Sequence, residues 1–204
     1  MRFQGEKPVF SSGVSFFFDL VSLGQAPVFT PLFPLEKPFM PLTFSTCDLC
    51  DAHESDTSGS FRVLPPVFQD FGGTARFAGP VATLHCHGDN SRVREAVQEP
   101  GQGRVLVIDG GASLRRALIG GNLAADAARN GWAGLVVDGA VRDLAELRAL
   151  PLGVRALALM PMRPAKRGEG QRDEPISIQG IPVHPGDWLY ADEDGIVVSA
   201  KPLL

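Results

Sequence analysis

Two short runs in this sequence have residue types and spacing suited to a small carboxylate. Gly120-Gly121-Asn122-Leu123 opens a helical stretch. The first N–H groups of a helix lack intrahelical partners and sit at its positive dipole end, so such a start can hold an anion. Arg142 follows an apolar strand at 135–137 and can clamp a carboxylate through two parallel N–H bonds. Asp143 beside it can ligate a hard divalent cation, since magnesium takes one or two protein carboxylates and keeps several waters. Together these residues suit a small carboxylate substrate chelated to a metal. A purely structural use fits the same residues: Gly-Gly as a turn, Asp143 as the cap of the next helix, Arg142 as a surface charge.

Other chemistry-bearing residues carry less. Cys47-x-x-Cys50 and His85-Cys86-His87 have zinc-ligand types, but no spacing rule brings the two pieces together. The Cys pair does not follow a strand of a βαβ unit, which argues against a thioredoxin-like role. Asp192-Glu193-Asp194 reads as a solvated hairpin turn, and Arg115-Arg116 as structural charges.

The elements that must position the first two runs are legible from periodicity. Ser45 or Thr46 caps a short helix over Cys47 to His53. Residues 76–87 alternate as a strand, and Asn90 or Ser91 caps a helix through Val97, stopped by Pro100-Gly101. Val105 to Ile108 is an unbroken apolar strand ending at Asp109-Gly110-Gly111, as expected for a buried parallel sheet. A helix over Asn122 to Asn130 ends at Gly131. A strand at Leu135 to Val137, a helix at Asp143 to Leu150 stopped by Pro151, and a strand at Val154 to Leu159 follow. That is a βαβαβ run, and ligands of such sheets gather beyond the carboxyl ends of the strands, where both runs lie. Downstream the pattern turns antiparallel: a hairpin over Ile176 to Val183, then Trp188 to Tyr190 and Ile196 to Val198 around the acidic turn. Arg163 to Asp173 reads as a charged surface loop.

The chain has 204 residues, 44% of them hydrophobic and 21% charged, which suits one ordinary globular domain. Its net charge of −4 gives no general electrostatic reason to bind nucleic acid or an anionic membrane. Three cysteines make no disulfide framework, so a reducing cytoplasm is the expected location. No run of 18 uncharged apolar residues is present, so no spanning helix is expected. Composition breaks near Met40: residues 1–40 hold 8 of the 13 Phe and 5 of the 17 Pro. A signal peptide, an extension docking on the body and an upstream start with Met40 as the true one compete for this segment. The last is the expectation, with 1–40 a disordered extension or mis-assigned start and 41–204 a single domain.

Longer stretches resemble a known family, the regulator of ribonuclease activity A family, which includes the 4-hydroxy-4-methyl-2-oxoglutarate aldolases. The matching segments are Cys47 to Ala52, Phe71-Gly72-Gly73, Gly88 to Ser91, RVLVIDGGASLRRAL (104–118) and GGNLAADAARNGWAGLVVDGAVRD (120–143). Lys166-Arg167-Gly168 and Tyr190 to Gly195 continue the series, so the resemblance spans about 42–200 in order. It implies a swivelling β/β/α-type fold, assembled as a homotrimer or a dimer of trimers.

In the aldolase branch the Gly-rich helix start binds substrate through backbone amides, which map to Gly120, Gly121, Asn122 and Leu123. The Arg of the Arg-Asp pair holds the keto acid and the Asp binds Mg2+ or Mn2+, which map to Arg142 and Asp143. The implied activity is class II, metal-dependent cleavage of 4-hydroxy-4-methyl-2-oxoglutarate and 4-carboxy-4-hydroxy-2-oxoadipate to pyruvate-type products. Oxaloacetate decarboxylation passes through the same enolate and is the expected side activity. The alternative is a non-catalytic, protein-binding inhibitor of ribonuclease E, a branch that typically lacks the Asp. Many members carry an acidic residue where this chain has Gly121, so the sequence leaves the general base unidentified.

Overall fold

The computed structural model describes residues 43–204; the expectation for residues 1–40 lies outside them. In chain order the elements are α1 (Thr46–Ala52), β1 (Phe61–Val63), β2 (Gln69–Asp70), β3 (Phe77–His85), α2 (Ser91–Gln98) and β4 (Val105–Ile119). Then come α3 (Gly121–Arg129), β5 (Gly134–Val141), α4 (Leu144–Arg148), β6 (Gly153–Leu159), β7 (Gln171–Arg172), β8 (Ile176–Ile178), β9 (Ile181–Val183), β10 (Trp188–Ala191) and β11 (Ile196–Ser199).

The main sheet runs β1-β11-β10-β3-β4-β5-β6-β2, with β7 on β3. β3 through β6 are parallel neighbours joined by α2, α3 and α4. The expected βαβαβ run is therefore one unit longer, because β3 opens it. β3 also changes partner along its length. Phe77 to Pro80 pair antiparallel with β10, and Val81 to His85 pair parallel with β4. The C-terminal strands are thus stitched onto the parallel core as one mixed sheet.

Alternation sorts the strand residues into two faces. Ala82, Leu84, Leu106, Ile108, Leu135, Val137 and Val154 pack with Val93, Ala96 and Val97 of α2, Ala124 and Ala127 of α3, and Leu147 of α4. Val81, Val105, Val107 and Val136 face the other way, against Ile176, Ile178 and Val183 of the β8–β9 hairpin. Helices on one face and a second β layer on the other give the β/β/α layering. Both faces are covered, which is why the parallel strands read as unbroken apolar runs.

β4 extends to Ile119, ten residues past the expected end at Asp109. Gly110-Gly111 does not end it. Gly111 and Ala112 take positive φ, and a series of register shifts carries the pairing with β5 on to Ile119–Val141. The overrun matters because it delivers the chain directly to Gly120 at the start of α3. β1, β2 and β7, of two or three residues each, were not expected.

Candidate active site at the start of α3

The parallel strands end where Ile119 and Val141 face each other, and both candidate runs leave from there. Gly120 is the N-cap of α3 and Arg142 and Asp143 lead into α4. The Arg142 N–H donates to the Ile119 carbonyl at 2.9 Å, fastening the two exits together. A cleft of about 190 Å³ opens between them, lined among others by Gly120, Asn122, Leu123, Arg142 and Asp143. Five of the six expected residues line it. The sixth, Gly121, is buried directly beneath and bonded to Asp143.

Asp143 stands in the N-cap position of α4 but does not cap it: its side chain makes no bond to that helix. Oδ2 instead accepts the Gly121 N–H at 3.1 Å, and both carboxylate oxygens accept from Arg142 Nε at 3.1 and 3.2 Å. Its backbone lies in the left-handed region, φ 64 and ψ 49. A non-glycine residue there carries about 1–2 kcal/mol of strain, and such residues concentrate at functional sites. The structural alternative for Asp143 as a helix cap is thus replaced by a carboxylate turned across the sheet edge toward α3.

The two glycines let side chains from the start of α4 approach closely. A Cβ on Gly120 would lie 2.6 Å from Asp143 Oδ2. A Cβ on Gly121 would lie 1.6 Å from Glu146 Oε2. Glu146, in the first turn of α4, therefore puts its carboxylate in the space that a side chain at 121 would fill. Sequence reasoning missed it. The available signal was its spacing, three residues after Asp143, one helical turn away on the same face.

With Gly121 N–H bonded to Asp143, the helix start offers fewer amides than the resemblance implied. Intrahelical bonding begins with Ala124 N–H to the Gly120 carbonyl at 3.1 Å. The Asn122 and Leu123 amides come before it and have no protein acceptor among the described residues. With the Gly120 N–H, which likewise has none, they are free for a substrate oxygen. Arg142 spends Nε on Asp143 and reaches the Pro161 carbonyl with Nη1 at 3.4 Å.

Asp143 and Glu146 are hard oxygen donors, the type Mg2+ or Mn2+ prefers. Among the described residues no three His, Cys, Asp or Glu side chains gather into a cation cage. A divalent cation here would be held by one or two carboxylates and solvent, which is ordinary for magnesium. The zinc-type residues are dispersed. Cys47 lies beside Asp194, His85 Nδ1 is 3.0 Å from Asp109 Oδ2, and burial pushes the Cys86 thiol up to about 12.

Residues 46–198 match the model of a family described as RraA-like, Aldolase/RraA. This chain is a member of the RraA-like family. An Albidiferax ferrireducens protein named "Putative 4-hydroxy-4-methyl-2-oxoglutarate aldolase" is 62% identical over 170 residues, covering 79% of this chain and 98% of that one. A Burkholderia multivorans protein of the same name is 57% identical over 163 residues, covering 79% and 99%. The RNA-processing inhibitor RraA from Thermus thermophilis superposes with a TM-score of 0.75 at 48% identity, covering 80% of this chain and 96% of that one. A Geobacillus kaustophilus structure described as an S-adenosylmethionine: 2-dimethylmenaquinone methyltransferase gives 0.74 at 41% identity, covering 78% and 97%. Three activities are thus attached to one RraA-like fold, so function must be argued from the site.

Proposed function

We propose that this RraA-like protein is a divalent-metal-dependent aldolase. It would cleave 4-hydroxy-4-methyl-2-oxoglutarate, and 4-carboxy-4-hydroxy-2-oxoadipate, to pyruvate-type products, with oxaloacetate decarboxylation as a side activity. The observation that carries this reading is Asp143, a strained carboxylate turned off its own helix and into a cleft beside Arg142 and the start of α3. The relatives' names support it.

In this account Asp143, with Glu146 beside it, holds Mg2+ or Mn2+, which supplies Lewis-acid polarisation of a 2-oxo group. Arg142 binds the adjacent carboxylate and is kept in place by its own bond to Asp143. The Asn122 and Leu123 amides face negative charge as it grows when the C–C bond breaks, without reorganising. The reading includes a homotrimer or a dimer of trimers as the working assembly.

The competing reading is a non-catalytic inhibitor of ribonuclease E, favoured by the likeness to the Thermus protein. A direct comparison separates them. Purified protein with Mg2+ should release pyruvate from 4-hydroxy-4-methyl-2-oxoglutarate in a lactate-dehydrogenase-coupled assay. No release from any 2-oxo acid, together with slowed ribonuclease E cleavage, would reverse the order of the two readings.

A further inference from the structure

Four cationic side chains line the cleft: Arg94, Arg142, Arg163 and Lys166. Arg142 is paired with Asp143. The other three have no carboxylate partner among the described residues. A 2-oxo acid with one carboxylate uses Arg142 and the start of α3, and leaves three like charges facing one small cleft uncompensated. Like charges in a shared concavity repel, and a ligand with further negative charge relieves them.

These cations are held from elements other than α3 and α4. Asn90 precedes α2 and is buried. Its Nδ2 donates to the Leu118 carbonyl at 3.0 Å, tying that turn to β4 two residues before Gly120. Arg94 is one turn on, its N–H bonded to the Asn90 carbonyl at 3.0 Å, and so shares the cleft-facing side of α2 with Asn90. Arg163 and Lys166 flank Ala165, whose N–H donates to the Gly88 carbonyl at 2.8 Å. The Arg163 carbonyl accepts from Arg116 Nη1 at 2.8 Å.

We propose that Arg94, with Arg163 and Lys166 beside it, forms a subsite for a second substrate carboxylate, and that Arg94 determines selectivity for 2-oxo acids carrying one. This rests on the aldolase reading of the cleft. Of the three, Arg94 alone stands on a helix, whose start is anchored by Asn90, and its planar fork matches a carboxylate.

The test compares two substrates on the full-length protein at saturating Mg2+. Pyruvate, with one carboxylate, is followed by exchange of its methyl protons with D2O in NMR. 4-Hydroxy-4-methyl-2-oxoglutarate, whose second carboxylate stays on the departing fragment through the bond-breaking step, is followed by pyruvate release. Arg94→Met should lower the preference for 4-hydroxy-4-methyl-2-oxoglutarate over pyruvate, as the ratio of kcat/KM values, by about 10- to 100-fold through KM, the loss expected for a charge-assisted pair. Arg94→Lys should recover part of it. Arg94 is exposed and bonded to no side chain among the described residues, so both variants are expected to fold. Circular dichroism checks this. A ratio unchanged within twofold in Arg94→Met overturns the subsite while leaving the aldolase reading intact. A wild-type protein inert in both assays overturns that reading and the subsite with it.

Discussion

At the residue scale the account turns on Asp143, Arg142 and Glu146. Asn tolerates left-handed backbone as well as Asp does, so Asp143→Asn should fold normally by circular dichroism. It lacks the charge a hard cation needs. Losing about 3–4 kcal/mol at the bond-breaking step would lower kcat for oxaloacetate roughly a hundred- to a thousandfold. Arg142→Lys keeps charge without the fork and should raise KM as well as lower kcat. Glu146→Gln should raise the Mg2+ concentration for half-maximal rate by about tenfold, the usual cost of losing a group that supports a metal ligand; an unchanged metal titration would remove Glu146 from the site. Asp143 and Arg142 were legible in sequence because they are adjacent at a strand end, where sheet ligands gather. Glu146 offered only its spacing one helical turn after Asp143, because what brings it to the site is packing over Gly121, a contact between α3 and α4 that neither run encodes alone.

At the element scale the site depends on β4 and β5 delivering two exits to one point, and the C-terminal strands depend on α1. Asp192, 1% exposed, accepts Thr46 N–H at 2.7 Å and Thr46 Oγ1 at 2.6 Å, fixing α1 to the β10–β11 turn. Burial by itself would raise the Asp192 carboxyl. The Thr46 bonds and the Asp194 and Gly195 N–H groups outweigh it, and the carboxyl titrates below its ordinary value. A depressed folded value means stability that is present above the unfolded value of about 3.9 and lost as pH falls through the folded one. Asp192→Asn should therefore cost about 3 kcal/mol in urea denaturation at pH 7, and the gap to wild type should narrow by pH 3. A gap independent of pH would assign the effect to packing alone. Every long element was readable from its period. β1, β2 and β7 are too short to show one, and β4 outran its glycines because its register shifts with β5 keep the sheet paired where turn residues suggest an end.

At the scale of the whole molecule, β4, β6 and the segment after β6 each carry an exposed apolar side chain. Leu114 is 45% exposed, Leu159 44% and Met162 54%. Ala117 N–H to the Met162 carbonyl, at 2.9 Å, joins the strand carrying Leu114 to the segment carrying Met162. Leu159 borders a second hollow with Arg142 and Asp143. Covering such residues between copies fits the proposed trimer. Light scattering should report three times the 21.8 kDa chain mass, or six, and Met162→Glu should lower it. A monomer with full activity would contradict the assembly. The parallel run and the antiparallel C-terminal strands follow from pattern and the layering from the resemblance, whereas the pairing of β3 with β10 and an interface between copies leave no period in one sequence. No helix among the described residues is long and apolar enough to cross a membrane.

The central claim is that a metal-dependent C–C bond-breaking site sits where α3 begins. Pyruvate release from 4-hydroxy-4-methyl-2-oxoglutarate, measured before and after EDTA and again after added Mg2+, tests it most directly. The account predicts release by the purified protein, its loss with EDTA, and its return with Mg2+ in wild type but not in Asp143→Asn. Release that persists undiminished through chelation, or equal recovery in Asp143→Asn, would contradict it.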